Sequence, residues 1–418
     1  APAAGNLGRY GDRLAGGRRK GRTAFVLAQV ALSLTLLSGA GLLSKSFARL
    51  IAVDPGFSPE SVLSVRLTLS KSRYPDPDSV RRFFESVRSR LQRLPEIASA
   101  GATSVLPLSG QNVRMDFAIV GRPETDPSRS PGAQNRWVDA GYFATLGIPV
   151  RRGRTFTDRD DASAPGVAVM DEALAHSFFS GTDPVGARLR LEDAEGNPRE
   201  VEIVGVVGAV KHFSLEEEAP GTLYAPIAQI PQNMLSFLLN SANLVARTSV
   251  DPRSAAPAVR RAIRAVDPDV PSGSVRTMGD VRGAALAGRR FIALLFGFFA
   301  LAAAALAGIG LYGTLAEMVA QERRAIGIRL ALGASPSDIL RHVAGRGVGL
   351  TVAGIAAGLA LALPLSRLLA ASLFGVSPSD PQAYGFAAIL LLLVSAAAGA
   401  LPARRASRVD PAAALRPE

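Results

Sequence analysis

Four stretches without a charged residue punctuate a chain whose remaining segments alternate apolar and polar positions. They are Thr23 to Ser44 (22 residues), Phe291 to Ala316 (26 residues), Gly347 to Ser366 (20 residues) and Pro381 to Ala403 (23 residues). At ~1.5 Å per residue, a helix over the first would be roughly 33 Å long, enough to cross a hydrocarbon core of ~30 Å. Each run also exceeds the ~18 residues that separate a spanning helix from a buried core helix. The pattern therefore predicts four membrane helices, at about 23–47, 291–316, 347–366 and 383–403. A basic stretch precedes the first run, as in a signal peptide. The run is longer than the ~7–15 apolar residues of such a leader and no cleavage site follows it, so a retained helix is expected.

The long segment between the first two spans, 48–288, carries mixed periods. Ser64 to Leu69 alternates as a strand does. After the turn residues Pro75, Asp76 and Pro77, the apolar set Val80, Phe83, Phe84, Val87, Leu91 and Leu94 falls at helical spacing until Pro95 stops it. A strand near Ile97 to Leu106 follows. A similar unit closes the segment, with Leu244 to Thr248 as strand and Asp251-Pro252 as cap and first helical residue. There Val259, Ile263 and Val266 form the buried stripe, and Val270 to Arg276 the next strand. Between the two units, about 110–243, turn residues separate short strands such as Phe117 to Val120, Val167 to Met170 and Val201 to Val207, which predicts an inserted, mostly β subdomain. The fold class expected is four transmembrane helices plus a large extracytoplasmic α+β domain of βαβ units with that insertion.

Charge decides the orientation. The 418 residues hold 47 Lys plus Arg against 35 Asp plus Glu, a net charge of +12. Six basic residues lie in 1–22, five in 317–346 and four in 402–418, whereas 48–290 holds 30 basic and 28 acidic residues and the loop 367–382 a single Arg. The positive-inside rule then puts both termini and 317–346 in the cytoplasm, although Arg49, Arg282, Arg289 and Arg290 near the outer span ends reduce the asymmetry. The same distribution argues against nucleic-acid binding, since the basic excess sits beside membrane spans rather than on a patch with aromatic platforms. The absence of cysteine removes disulfides, Cys-ligated metals and thiol nucleophiles.

The motif search yields no enzyme site. Gly308-Ile309-Gly310-Leu311-Tyr312-Gly313 matches a dinucleotide fingerprint but lies inside the second span, where glycines let another helix approach. The same packing role is open to Gly39, Gly41, Gly354 and Gly358. None of the four lysines follows a glycine, so there is no phosphate-cradling P-loop and the chain is not expected to hydrolyse ATP by itself. His176, His212 and His342 lack a second ligand at i+3 or i+4, and Glu216 to Glu218 reads as a solvated face; neither metal nor cofactor is expected in this chain. No ionisable residue falls inside the four apolar runs, which disfavours an ion-coupled carrier, and Gln29 reads as interhelical glue.

The segment 317–346 is the most distinctive. Ile326, Leu330 and Ile339 stand apolar among arginines, Gly333 is a helix stop, and Ser335-Pro336 reads as cap and first residue of another helix. Two short helices are expected to hang from spans two and three. The segment is either a solvated, lipid-facing basic loop or a docking knob for a cytosolic partner, which would explain exposed isoleucines among arginines.

With these residues in view, the chain resembles the MacB/FtsX family of ABC-transporter permeases, specifically the second half of duplicated ADOP-type permeases. The resemblance rests on Ala28-Gln29-Val30-Ala31-Leu32-Ser33, Val53-Asp54-Pro55-Gly56-Phe57 and Gly141-Tyr142-Phe143-Ala144-Thr145-Leu146-Gly147-Ile148. Further blocks are Arg152-Gly153-Arg154-Thr155-Phe156, Ile203-Val204-Gly205-Val206-Val207-Gly208, Ile326-Gly327-Ile328-Arg329 with Gly333-Ala334, and Pro402-Ala403-Arg404-Arg405-Ala406 with Asp410-Pro411.

The resemblance implies a basic cytoplasmic connector at 1–22, a MacB-like core domain at 48–288 whose βαβ units are porter-like, and an FtsX-like permease domain at 289–418. It implies a multi-pass protein of the inner (cytoplasmic) membrane with its large domain periplasmic, partnered by a cytosolic ABC ATPase, a second permease half (fused or a second copy) and a periplasmic protein. The implied action is mechanical: ATP-driven motion of the ATPase passes through the spans to the outer domain, for export or extraction of a substrate. The coupling residues it points to are Arg323, Arg324, Ile326, Gly327, Ile328, Arg329, Leu332, Gly333 and Ser335. Family members usually carry Glu where this chain has Ala325, so a polar contact to the ATPase is missing there. The alternatives are a signalling or scaffold protein that regulates an envelope partner such as a cell-wall hydrolase without transport, and an orphan permease with no ATPase.

Overall fold

The structure, a computed structural model, describes residues 4–122, 132–192, 198–217, 221–332 and 335–406. In chain order, helix α1 (Ala4–Ile51) is followed by β1 (Val62–Leu67), α2 (Pro77–Leu91), β2 (Ile97–Thr103), β3 (Arg114–Ile119), β4 (Gly132–Val138), α3 (Tyr142–Leu146) and β5 (Val150–Gly153). Then come β6 (Val167–Asp171), α4 (Glu172–Phe178), β7 (Arg188–Glu192), β8 (Pro198–Val207), β9 (Thr222–Pro226), α5 (Leu235–Ser241) and β10 (Asn243–Thr248). The last elements are α6 (Pro252–Val266), β11 (Ser272–Thr277), α7 (Met278–Gln321), α8 (Arg323–Ala331), α9 (Pro336–Leu368) and α10 (Pro381–Ala406). They form two compact units, Val53–Ala287 and the remainder, Ala1–Ala52 with Gly288–Glu418.

In the first unit the two strand–helix–strand segments interleave. The sheet order is β11-β1-β10-β2, every neighbour antiparallel, so β10 lies between β1 and β2, and β1 lies between β10 and β11. This is the split βαβ arrangement of ferredoxin-like folds, and the pairs that the sequence presents as neighbours are each separated by a strand of the other unit. One face is covered by α2 and α6. Asp76 caps α2 by accepting from the Ser79 amide at 2.7 Å, Pro77 opens it, and Val80, Phe83, Phe84, Val87 and Leu91 are buried as the 3.6 period requires. Asp251-Pro252 opens α6 in the same way, burying Ala255, Val259 and Ile263. These stripes join Leu63, Val65, Leu244 and Ala246 in one core, each large side chain contributing about 1.5–3 kcal/mol by leaving water. On the opposite face α3 lies almost on the backbone. A Cβ at Gly101 would stand 2.5 Å from the Tyr142 amide nitrogen and one at Gly141 2.0 Å from the Ala100 carbonyl, so both positions require glycine.

The segment inserted between β2 and β10 closes on itself. β4, β3, β7, β8, β6 and β9 follow edge to edge, and β9 pairs back onto β4; the β4–β9 and β6–β8 pairs are parallel and the others antiparallel. Closure leaves the ring no free edge. A single ladder position, Thr103 with Val138, joins the ring to the four-stranded sheet.

In the second unit four helices are long and apolar enough to cross a membrane, within Gly21–Ile51, Met278–Gln321, Ser337–Leu368 and Pro381–Pro402. α1 is the hub: Val26, Val30, Leu34 and Leu37 are buried with Ala300, Ala304, Ala307 and Leu311 of α7 and with Ala387 and Leu391 of α10. α1 also begins earlier than expected. The backbone of residues 4–22, read from the sequence as a connector, continues that helix, there being no proline from Ala4 to Ile51 to stop it. The side chains of 4–20 lie outside the described residues, as do Glu218 and Asp410-Pro411.

Candidate functional site: the hairpin between α7 and α9

Glu322 separates α7 from α8, and α8 is nine residues long. The second short helix expected from the sequence does not exist separately. Ser335 and Asp338 form a capping box, the Ser335 amide donating to Asp338 Oδ2 at 3.1 Å and the Asp338 amide to Ser335 Oγ at 3.3 Å, and Pro336 takes the first helical position. From there α9 runs unbroken into the third span, because no proline follows until Pro364. Ser335 is thus first a cap.

The two faces of α8 differ. Ile326, expected to be exposed, is only 3% accessible and packs with Leu315 of α7 and with Ile339 and Val343 of α9; Gly327 beside it is also buried. This plug fastens α8 to the ends of both long helices. Glu322 reinforces it, pairing with Arg346 and lying 3.7 Å from His342, both on α9. On the outer side Ala325, Ile328, Arg329 and Leu332 fall at i, i+3, i+4 and i+7 and are all exposed, Ile328 at 42% and Leu332 at 82%. Arg323 is exposed as well. The Arg324 and Leu330 side chains and Gly333 lie outside the described residues. The Ile328–Leu332 pair, and Ala325 with it, was readable in the sequence as a helical i, i+3 and i+4 spacing.

The glycines singled out in the spans sit at helix contacts. A Cβ at Gly354 would be 2.6 Å from Val30 Cβ, and one at Gly358 2.9 Å from the Ala31 carbonyl and from Leu34 Cβ, so α9 rests directly on α1. A Cβ at Gly308 would stand 3.0 Å from Val394 of α10, one at Gly310 would overlap the Gln29 side-chain oxygen and one at Gly313 would stand 3.3 Å from Arg22. A Cβ at Gly39 or Gly41 would make only ordinary contacts, at 3.8 and 3.5 Å. Hydroxyls add fixed points: Ser33 Oγ donates to the Ala303 carbonyl at 2.8 Å and Thr351 Oγ1 to Ser395 Oγ at 2.7 Å. The helix ends are clasped by Arg22 with Glu317, and by Lys45 with Asp380.

The Val53–Ala287 unit holds buried ionisable groups that the sequence did not reveal. Burial pushes the Asp139 carboxyl up to about 6 although it accepts from the Ala102 amide at 2.8 Å and lies near Arg88. Burial likewise pushes Asp171 up to about 6, and that carboxyl caps α4 by accepting from the Leu174 amide at 2.9 Å. Burial, with Arg136 nearby, holds His212 neutral against the Tyr224 hydroxyl at 2.8 Å, and Arg136 is itself buried, donating to the carbonyls of Asn135 and Gln111. Such shifts mark catalytic candidates only where a substrate can reach them. The cleft beside Asp139 has a volume of about 30 Å³, room for one water, and the amide bonds of Asp139 and Asp171 hold a turn and a helix start. Among the described residues no cluster of three His, Asp or Glu is placed to hold a metal.

Two family descriptions match the chain: a MacB-like periplasmic core domain over residues 23–266 and an FtsX-like permease C-terminal domain over residues 297–411. It is similar to the pyoverdine export ATP-binding/permease protein PvdT of Pseudomonas savastanoi pv. phaseolicola (strain 1448A / Race 6), 26% identical over 341 residues, which cover 78% of this chain and 48% of the relative. It is also similar to the uncharacterized ABC transporter permease YknZ of Bacillus subtilis (strain 168), 25% identical over 284 residues, covering 67% of this chain and 69% of the relative. The chain spans about half the length of the pyoverdine exporter. The periplasmic region of MacB from Actinobacillus actinomycetemcomitans aligns with 56% of this chain and 97% of its own at 14% identity, with a TM-score of 0.36.

Proposed function

The chain belongs to the MacB/FtsX family of ABC-transporter permeases, and on that premise we propose that it receives mechanical work from a separate cytosolic ATPase and passes it to its Val53–Ala287 domain to export or extract a substrate. In this reading the termini and the hairpin are cytoplasmic, the membrane is the inner one, the large domain is periplasmic, and a second permease half, fused or a second copy, completes the transporter.

The observation that carries the proposal is the two-sidedness of α8. A docking element that only bound a partner would need an outer face alone. α8 has in addition an inner plug at Ile326 that fixes it to α7 and α9, so a displacement imposed through Ala325, Ile328, Arg329 and Leu332 moves the ends of two spans. α7 then runs without interruption back to Met278, the residue following β11, and the spans need only stiffness and close contacts to carry the movement. Arg323, Arg324 and Arg329 supply the charge that draws an acidic ATPase surface. The chain performs no chemistry itself.

Reversing Arg324 and Arg329 to Glu together abolishes co-purification with the ATPase from the native host while membrane insertion is unchanged. Undiminished co-purification removes this face as the docking surface.

A further inference from the structure

β11 is the outermost strand of the four-stranded sheet and pairs only with β1 among the described strands. Natural sheets usually blunt such an edge with a charge turned toward the core, a proline or a covering element. The register places Val275 and Thr277 opposite Val65 and Leu63, on the helix-covered face, where β11 carries no charge. A groove of about 690 Å³ lies there, floored by Leu63, Val275 and Thr277 and walled by α6.

The wall is strongly cationic. Arg253, Arg260, Arg261 and Arg264 line it, with the small residues Ala256 and Pro257 leaving the space open. Arg253 is occupied by Asp280 at 3.0 Å. Arg260, Arg261 and Arg264 are exposed and engage no carboxylate or carbonyl among the described residues. Three like charges within two helical turns repel one another unless an anion lies between them.

Arg260 and Arg264 are four residues apart, a rise of roughly 6 Å along α6. Side chains on one face of a β-strand repeat every ~6.5 Å, so acidic residues at alternate positions of an extended segment match this spacing. The free edge supplies the backbone partners, and the intervening residues of the segment point to the opposite face of the sheet.

We propose that the groove between α6 and β11 docks an acidic, extended segment of a partner protein, which adds as a strand beyond β11 and sets alternate carboxylates against Arg260, Arg261 and Arg264. The interaction needs neither nucleotide nor ATPase and is independent of the coupling proposed for α8.

The test uses the full chain in detergent, without nucleotide, and a fluorescein-labelled (Glu-Val)4 peptide followed by anisotropy. (Glu-Val)4 binds and (Lys-Val)4 does not. A (Glu-Pro)4 peptide of equal charge, which lacks half of the backbone donors, binds at least fivefold more weakly. The double variant R260E/R264E loses at least tenfold, and R260Q/R264Q, which keeps most of the side-chain length, loses about as much with unchanged thermal unfolding. Absence of (Glu-Val)4 binding at millimolar peptide overturns the proposal, as does retained affinity in R260Q/R264Q. Equal affinity for (Glu-Pro)4, or equally effective displacement by tripolyphosphate, also overturns it, because the groove would then be a general anion site without strand addition.

Discussion

Among the described residues, the buried polar side chains of the membrane unit are Ser33, Ser38, Ser46, Thr351, Ser366 and Ser395, all hydroxyls, whereas the Val53–Ala287 unit buries Arg136, Asp160, Asp171, His212 and Asp267. A hydroxyl in a helix returns its hydrogen bond to a carbonyl three or four residues back, as Ser38 does to Leu34 at 2.8 Å, so it can be buried almost anywhere along a span. A buried carboxylate or guanidinium must find directed partners, and those partners fix one backbone arrangement. The membrane unit is therefore held by shape, and its close contacts can slide or tilt without leaving a charge stranded. The outer domain, built on its apolar cores, is fixed in addition by directed polar bonds. This division supports the displacement-transmitting role proposed for the chain.

The largest effect expected from breaking this contrast lies at the α1–α9 contact. Gly354→Val and Gly358→Val each drive a side chain into Val30 or Leu34 and cost about 1–3 kcal/mol, read as a lowered unfolding midpoint in detergent. Gly297→Ala and Gly349→Ala, where a Cβ would meet nothing within 4 Å, leave the midpoint unchanged. Equal sensitivity at the two pairs would mean that shape does not hold the bundle.

A smaller effect separates the units by pH. Burial raises the Asp171 carboxyl from 3.8 to about 6, so the folded chain binds this proton more tightly than the unfolded one. This contribution to stability is full below about pH 4, falls as pH rises toward 6 and is absent above. Asp171→Asn keeps the cap on α4 and stabilises the outer domain at pH 7.5 by about 1 kcal/mol, with no gain at pH 4. A gain equal at both values would place the effect outside this carboxyl.

The smallest effect is in the membrane. Ser33→Ala removes the bond to the Ala303 carbonyl and costs about 0.6 kcal/mol with no pH dependence, measured by the same unfolding assay.

The spans and the stripes of α2 and α6 were legible in the sequence because each is a local pattern, a run without charge or a 3.6 period between a cap and a proline. The closed ring was not. β4 and β9 are buried on both faces, so neither alternates, and their pairing, Gln134 with Thr222 through Val138 with Pro226, links positions 88 residues apart. The interleaving of the two split units was hidden for the same reason, since strand neighbours are not sequence neighbours. In the hairpin, the cap at Ser335 was legible and the burial of Ile326 was not, because its partners Leu315 and Val343 come from two other helices.

The central claim is that work enters at the outer face of α8 and arrives in the outer domain. Hydrogen–deuterium exchange of the chain assembled with its ATPase, compared with and without ATP under non-hydrolysing conditions, tests it directly. The account predicts that ATP changes protection in α7 and within residues 53–287, and that Ile328→Asp with Leu332→Asp abolishes the change while the apo pattern stays the same. A change confined to residues 317–346, or one that persists in the double variant, would contradict it.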